Sequence, residues 1–144
     1  MGNKVNGHKT GIASEYLVLS MLYRLGANAY LTLGNEKSVD IRVVKDDESA
    51  ISIDVKSVRS FDSIPVSNVR EKENHYIIVV IYNNKFEKLD ILPDFYIVPS
   101  SIVVEKRKEF KGNHVDLFKK DIAEYKDKWE LLGLNTETNK CKDE

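Results

Sequence analysis

An uninterrupted apolar run from Tyr76 to Tyr82 constrains the fold of this chain more than any other feature of its sequence. A strand that is apolar at every position is typical of the centre of a sheet that is covered on both faces. The run is also far shorter than the roughly 20 apolar residues that a helix needs to span a bilayer. We therefore predict a central strand over His75–Tyr82 and no membrane partner.

The other elements are predicted from local periodicity. Apolar residues recur at helical spacing over Thr10–Leu25, and Gly26 is a natural end to that helix. A second helix is predicted from Ser100 to about Phe110, capped by its first serines, and a third, amphipathic helix over Phe118–Leu132, closed by Gly133. This order favours an α/β layer with a mixed sheet. Further strands are predicted over Ala29–Leu33, Val39–Val44, Ile51–Val58 and Phe95–Val98.

The length of 144 residues is typical of one domain with a single core. We predict that domain over residues 10–134, with a flexible N-terminus over 1–9 and a disordered tail over 135–144. The single cysteine, Cys141, cannot form an internal disulfide, and the N-terminus lacks the apolar segment of a secretory signal. Both observations favour a cytoplasmic protein.

The charge balance restricts how this chain can bind nucleic acid. Lysine and arginine number 22 against 23 aspartate and glutamate, so the net charge is −1. Many nucleic-acid-binding domains are basic, because phosphate contacts supply most of their affinity. Binding here would need a local basic face, although a scatter of solvated charges explains the same cations equally well. The candidate groups are Lys56 with Arg59, Arg70 with Lys72, Lys106 with Arg107 and Lys108, and Lys119 with Lys120.

Three acidic residues occupy positions where acids are unusual. Glu15 lies on a helical stripe of apolar residues, which turns it inward. Asp40 and Asp54 each interrupt a predicted strand, where aspartate is disfavoured. An inward carboxylate costs several kcal/mol unless it is paired or bound to a metal. One shared site would explain the positions of all three acids.

The register of the predicted hairpin decides whether these groups meet. Asp54 and Lys56 share one face of their strand, because side chains alternate along a strand. A strictly regular hairpin around the six-residue link 45–50 would place Asp40 opposite Val55, on the other face. An offset of one residue, or a bulge in the loop, places Asp40 beside Asp54 and Lys56. We adopt that offset as an expectation.

Metal-assisted hydrolysis of a phosphodiester needs this set of groups. Mg²⁺ takes oxygen ligands, typically one or two carboxylates together with water and phosphate. Asp40 and Asp54 would supply the carboxylates, and the carbonyl of Val55 a third oxygen. Lys56 would orient or activate the attacking water and stabilise the charge of the transition state. Glu15 would bind a second ion or hold a metal-bound water.

The order of Asp40, thirteen residues, then Asp54, Val55 and Lys56 resembles the signature of the PD-(D/E)XK nuclease superfamily. That superfamily includes type II restriction enzymes and archaeal Holliday-junction resolvases. The segment Gly11–Glu15 resembles the helix start that carries its upstream glutamate.

Three further features qualify this resemblance. Val39 stands in place of the proline that names the motif, a replacement that is common in the superfamily and harmless to the metal site. The stretches Pro93–Ser100 and Tyr125–Gly133 resemble a group of small, largely uncharacterised bacterial members. With them, the resemblance extends over roughly residues 11–134.

The resemblance implies a restriction-endonuclease-like α/β fold, with a mixed four-stranded sheet flanked by helices. It requires Ala29–Leu33 as the first strand, His75–Tyr82 as the fourth, and a crossover helix within Ile64–Asn74. It also implies an endonuclease that depends on Mg²⁺ or Mn²⁺ and cleaves DNA, including branched or damaged DNA. A homodimer is expected, because two copies supply two active sites for the two strands of a duplex.

Other interpretations of the same residues stay open. Asp54 and Lys56 could form an exposed ion pair, Glu15 could be an acid favoured by a helix dipole, and Asp40 could simply end a loop. The chain would then be a catalytically inactive nuclease-fold module that binds nucleic acid or protein. A further alternative is an assembly subunit that uses its apolar faces.

Overall fold

The computed structural model describes residues 2–33, 39–60 and 62–134, with side chains from residue 7 onward. The predicted tail over 135–144, with Cys141, lies outside these residues. Helix α1 (Gly2–Arg24) begins at Gly2 rather than at Thr10, and it ends just before Gly26, whose φ is +85°. No helix in the described part of the chain is long and apolar enough to cross a membrane.

Each predicted strand is present, and its ends lie within two residues of the prediction. Short strands that the sequence did not indicate complete the set. The strands are β1 (Asn28–Leu31), β2 (Ile41–Val44), β3 (Ala50–Val58), β4 (Ser63–Pro65), β5 (His75–Ile81), β6 (Asp94–Pro99), β7 (Lys108–Phe110) and β8 (His114–Phe118).

The main sheet is mixed, as predicted, but within the described residues it has five strands, in the order β1-β2-β3-β5-β6, rather than four. Strands β3 and β5 are parallel, and the other neighbours are antiparallel. Strand β5 lies between β3 and β6, and Ile77–Ile81 is fully buried. The prediction of a central strand covered on both faces is confirmed.

Different elements cover the two faces of this sheet. Helix α1 packs on one face, where Val18 and Leu22 join Ile53 in one apolar cluster. A second sheet in the order β4-β8-β7 and helix α2 (Ser100–Lys106) contribute to the cluster on the other face. Because Ile53 faces α1, its neighbours along β3 face away from it. The predicted polar face of β3 is confirmed, and it carries Ser52, Asp54 and Lys56.

The predicted C-terminal helix over Phe118–Leu132 is wrong. The chain instead leaves β8 into short 3₁₀ turns over Lys119–Tyr125 and Trp129–Leu132. They are separated by Asp127, whose φ is +55°. Spacings of three and four residues are met by such turns as well as by an α-helix, so periodicity alone did not separate the two. Gly133 ends the second turn, and it does so in the left-handed conformation.

The crossover between β3 and β5 contains no helix within Ile64–Asn74, contrary to prediction. It is held instead by tertiary hydrogen bonds from α2 and the residue that follows it. The Ser100 hydroxyl accepts a bond from the Lys72 N–H (3.0 Å) and donates one to the Lys72 carbonyl (2.9 Å). The Arg107 guanidinium donates to the Val69 carbonyl (2.7 Å). The predicted serine cap of α2 is also wrong, because Pro99 precedes the helix and no side chain caps it.

Replacing Ser100 by alanine should destabilise the protein by about 1–3 kcal/mol, because it leaves part-buried backbone groups of Lys72 without a partner. Urea unfolding measures this difference. Ser101→Ala is the matched control, since Ser101 is the exposed neighbour on the same helix. An equal effect of both substitutions would contradict the role given to Ser100.

The turn between β2 and β3 is shorter than the predicted link. The Lys45 N–H donates to the Ser49 carbonyl (2.8 Å), and the Glu48 N–H donates to the Lys45 carbonyl (2.9 Å). Glu48 has a φ of +68°. A type I turn followed by a left-handed residue is a common three-residue hairpin loop. This loop sets the pairing of every residue beyond it.

Candidate active site at the fork between β2 and β3

The two strand aspartates are neighbours at the end of the β2–β3 pairing, where the Asp40 side chain hydrogen-bonds to that of Asp54. The antiparallel register runs as far as Ile41 opposite Ile53, one residue away from the regular pairing of the predicted hairpin. The Asp40 N–H still donates to the Ile53 carbonyl (2.8 Å), although β2 begins at the next residue. The Asp40 carboxylate then accepts the Val55 N–H (2.8 Å). The expected one-residue offset is therefore confirmed, and its cause is the odd-numbered loop.

Lys56 lies beside the aspartate pair on the same face of β3. Its Nζ is 3.5 Å from Oδ2 of Asp54 and donates to Oδ1 of Asn68 (2.8 Å). The Lys56 side chain is only 18% exposed and that of Asp54 5% exposed. The interpretation of Asp54 and Lys56 as an exposed surface ion pair is therefore wrong. The ammonium group is held between a carboxylate and an amide.

Glu15 is half-buried on α1, at the edge of the stripe that packs on the sheet. Fully buried positions of the helix are instead Ser14, Val18 and Leu22. Burial raises the pKa of the Glu15 carboxyl, and the negative charge of Asp40 raises it further. Glu15 therefore lies within electrostatic range of the aspartate pair.

The environment of Asp54 opposes its ionisation. Burial raises the pKa of Asp54 to about 7; the Lys56 ammonium opposes this shift, and the hydrogen bond and negative charge of Asp40 add to it. The physical cause is that a carboxylate with 3% exposure has lost most of its water and faces a second acid. Without a further cation, Asp54 is partly protonated near neutral pH.

The donor atoms fit a hard divalent cation such as Mg²⁺. Oδ2 of Asp54 is buried and accepts no hydrogen bond, since the Lys56 ammonium lies 3.5 Å away, and a bound cation would satisfy this oxygen. The Val55 carbonyl faces the same side as its N–H, towards Asp40, because both groups of an extended residue point to one neighbouring strand. Within the described residues, no group of three or more His, Cys, Asp or Glu side chains is arranged to hold a metal. Two carboxylates are nevertheless as many as Mg²⁺ usually takes from a protein.

Sequence reasoning missed three neighbours of this site. Asn68 lies in the crossover that was expected to be a helix, and nothing in the sequence indicated its contact with Lys56. Ser52 shares the face of Asp54, and its Oγ lies 2.6 Å from Nδ1 of the buried His75. Strand alternation was a signal that could have placed Ser52 on this face, but only the parallel pairing of β3 with β5 brings His75 to it.

Members of two of the predicted basic groups have partners within the structure. Arg59 donates to the Thr10 hydroxyl (2.7 Å) and stacks 4.0 Å from the centre of the Phe86 ring. Lys108 lies 3.7 Å from the Asp121 carboxylate.

No family model matches this sequence, and no curated protein matches it. Among solved structures, the chain is similar to a bacterial homing endonuclease, I-Ssp6803I, with a TM-score of 0.58 and 15% sequence identity. The matched region covers 92% of this chain and 95% of that chain. At this identity the similarity concerns the fold alone, and because it spans nearly the whole of both chains, this protein shares the α/β fold of that structure.

Proposed function

We propose that this protein is an endonuclease that hydrolyses phosphodiester bonds of DNA with the help of Mg²⁺ or Mn²⁺. The observation that carries the proposal is the pair of neighbouring aspartates, Asp40 and Asp54, with a buried oxygen of Asp54 that has no hydrogen bond and lies 3.5 Å from the Lys56 ammonium. The fold shared with a homing endonuclease supports it. The arrangement also follows the PD-(D/E)XK pattern noted in the sequence.

Each residue has a distinct part in the proposal. Asp40, Asp54 and the Val55 carbonyl hold the cation, and Glu15 binds a second ion or a water molecule. When bound, the cation supplies Lewis-acid polarisation of the phosphodiester and a more acidic water. The Lys56 ammonium, held in place by Asn68, orients the attacking water and stabilises the charge that develops on the phosphoryl oxygens.

Cleavage of supercoiled plasmid and of a four-way junction in Mn²⁺ tests the proposal. We expect the wild type to nick or linearise DNA, EDTA to stop the reaction, and Lys56→Ala to lower the rate by at least about a hundredfold. Lys88→Ala, which removes an exposed lysine outside the predicted basic groups, is the matched control and should keep full activity. Equal activity of the wild type and Lys56→Ala would contradict the assignment of the site.

We also propose that two copies act together, because a duplex has two strands to cut. Sizing chromatography with light scattering, with and without Mg²⁺ and DNA, should show a dimer on the DNA. A monomer that nicks only one strand would contradict this part of the proposal, but it would not contradict the assignment of the site.

A further inference from the structure

A row of four side chains crosses the main sheet next to the aspartate pair. The register pairs Tyr30 with Arg42, Arg42 with Ser52, and Ser52 with His75, so one residue from each of four neighbouring strands lies on a single line. Strands are about 4.8 Å apart, so this line is roughly 14 Å long. We call it the Tyr30–His75 row.

The row faces the same side of the sheet as the candidate site. Ser52 precedes Asp54 by two residues on β3, and Arg42 pairs with Ser52, so these three residues lie on one face. Two residues of a strand span about 6.5–7 Å. The row is therefore one step along the strand from Asp54, which adjoins Asp40.

Its two ends differ in exposure. Tyr30 is 58% exposed and Arg42 is exposed, because the apolar cluster on this face includes no residue of β1 or β2. His75 is only 3% exposed and holds the Ser52 hydroxyl through its Nδ1 at 2.6 Å. The open part of the row is thus an accessible platform, and its far end is fixed by packing.

We infer that the Tyr30–His75 row is a phosphate-binding platform that positions the backbone of duplex DNA so that the scissile phosphate reaches Asp40 and Asp54. Arginine, tyrosine and serine side chains are all common donors to DNA phosphates. The guanidinium of Arg42 can bind a phosphate with two parallel hydrogen bonds. Such contacts place the DNA without reading its sequence, so these are positioning residues.

The inference rests on the proposed function for its choice of substrate, but its test does not depend on cleavage. Binding of a fluorescein-labelled DNA duplex is measured by anisotropy in Mg²⁺, with every variant on the Lys56→Ala background. We expect Arg42→Gln to weaken binding about tenfold, the loss of one charge-assisted contact. It should also lower the slope of log affinity against log salt by about one.

Tyr30→Ala should weaken binding about threefold or more, with little change in the salt slope, because its hydroxyl carries no charge. Two matched controls lie on α1, which covers the other face of the sheet. Arg24→Gln removes an exposed arginine, and Tyr16→Ala removes a tyrosine that is 57% exposed, and both should bind like the parent.

Binding by Arg42→Gln that equals that of Arg24→Gln, an unchanged salt slope, or no binding by the parent would each overturn the inference. Its failure can be distinguished from failure of the proposed function. Wild-type cleavage together with an Arg42→Gln variant of full affinity would remove the platform and keep the nuclease. Arg42-dependent binding without cleavage by the wild type would keep the platform and remove the nuclease.

Discussion

Asp54→Asn should abolish both metal binding and DNA cleavage, whereas Lys56→Ala should abolish cleavage alone. Oδ2 of Asp54 is the buried oxygen without a hydrogen-bond partner, so its replacement by an amide nitrogen or a neutral oxygen removes the strongest ligand. Lys56 has no atom that can bind a cation, and its removal takes away a positive charge 3.5 Å from the site. We therefore expect Lys56→Ala to bind Mn²⁺ at least as tightly as the wild type.

Isothermal titration with Mn²⁺ and plasmid cleavage, measured on the same preparations, separate the two roles. Asp54→Asn should lose at least about a hundredfold in both quantities, and Asp90→Asn, in an exposed loop, serves as its control. A Lys56→Ala variant that loses metal binding as well would show that Lys56 organises the site rather than the reaction. Full Mn²⁺ affinity in Asp54→Asn would place the metal elsewhere.

In the absence of divalent cations, the Asp54 carboxyl should make the protein less stable as pH rises. Its pKa is about 7 in the folded protein, against 3.8 for an ordinary aspartate, so the folded state binds more protons between these values. The contribution of this group is fully present below pH 3.8 and is lost as pH rises through about 7. Since one pKa unit corresponds to about 1.4 kcal/mol, the loss between pH 5 and pH 8 is on the order of 3 kcal/mol.

Urea unfolding of the wild type and Asp54→Asn in EDTA, at pH 5 and at pH 8, measures this effect. The quantity compared is the difference in unfolding free energy between the two proteins. Glu15 and His75 also change how stability depends on pH, and they do so in opposite directions. The free energy of unfolding of Asp54→Asn should rise relative to that of the wild type at pH 8. Mg²⁺ should restore the stability of the wild type by binding the ionised site. The same pH dependence in both proteins would mean that Asp54 ionises normally in the folded state.

Most of the main sheet could be predicted from sequence. Local residue patterns indicate its strands: β5 is apolar at nearly every position, and β3 alternates between apolar and polar side chains. The helical segments after β6 could not be predicted as well. Phe118–Leu132 has helical spacing, yet it forms β8 and 3₁₀ turns, because pairing with the small sheet and packing of its apolar residues override a weak local preference.

The candidate site could likewise be predicted only in part. The sequence by itself determined that Asp54 and Lys56 share one face of a strand, because alternation is a property of the extended backbone. Whether Asp40 joins them depended on one residue of loop length, which only the turn at Glu48 decided. The contact of Asn68 with Lys56 and the row from Tyr30 to His75 depend on pairings between distant segments. Such pairings are set by the packing of the whole sheet, and no local pattern in the chain encodes them.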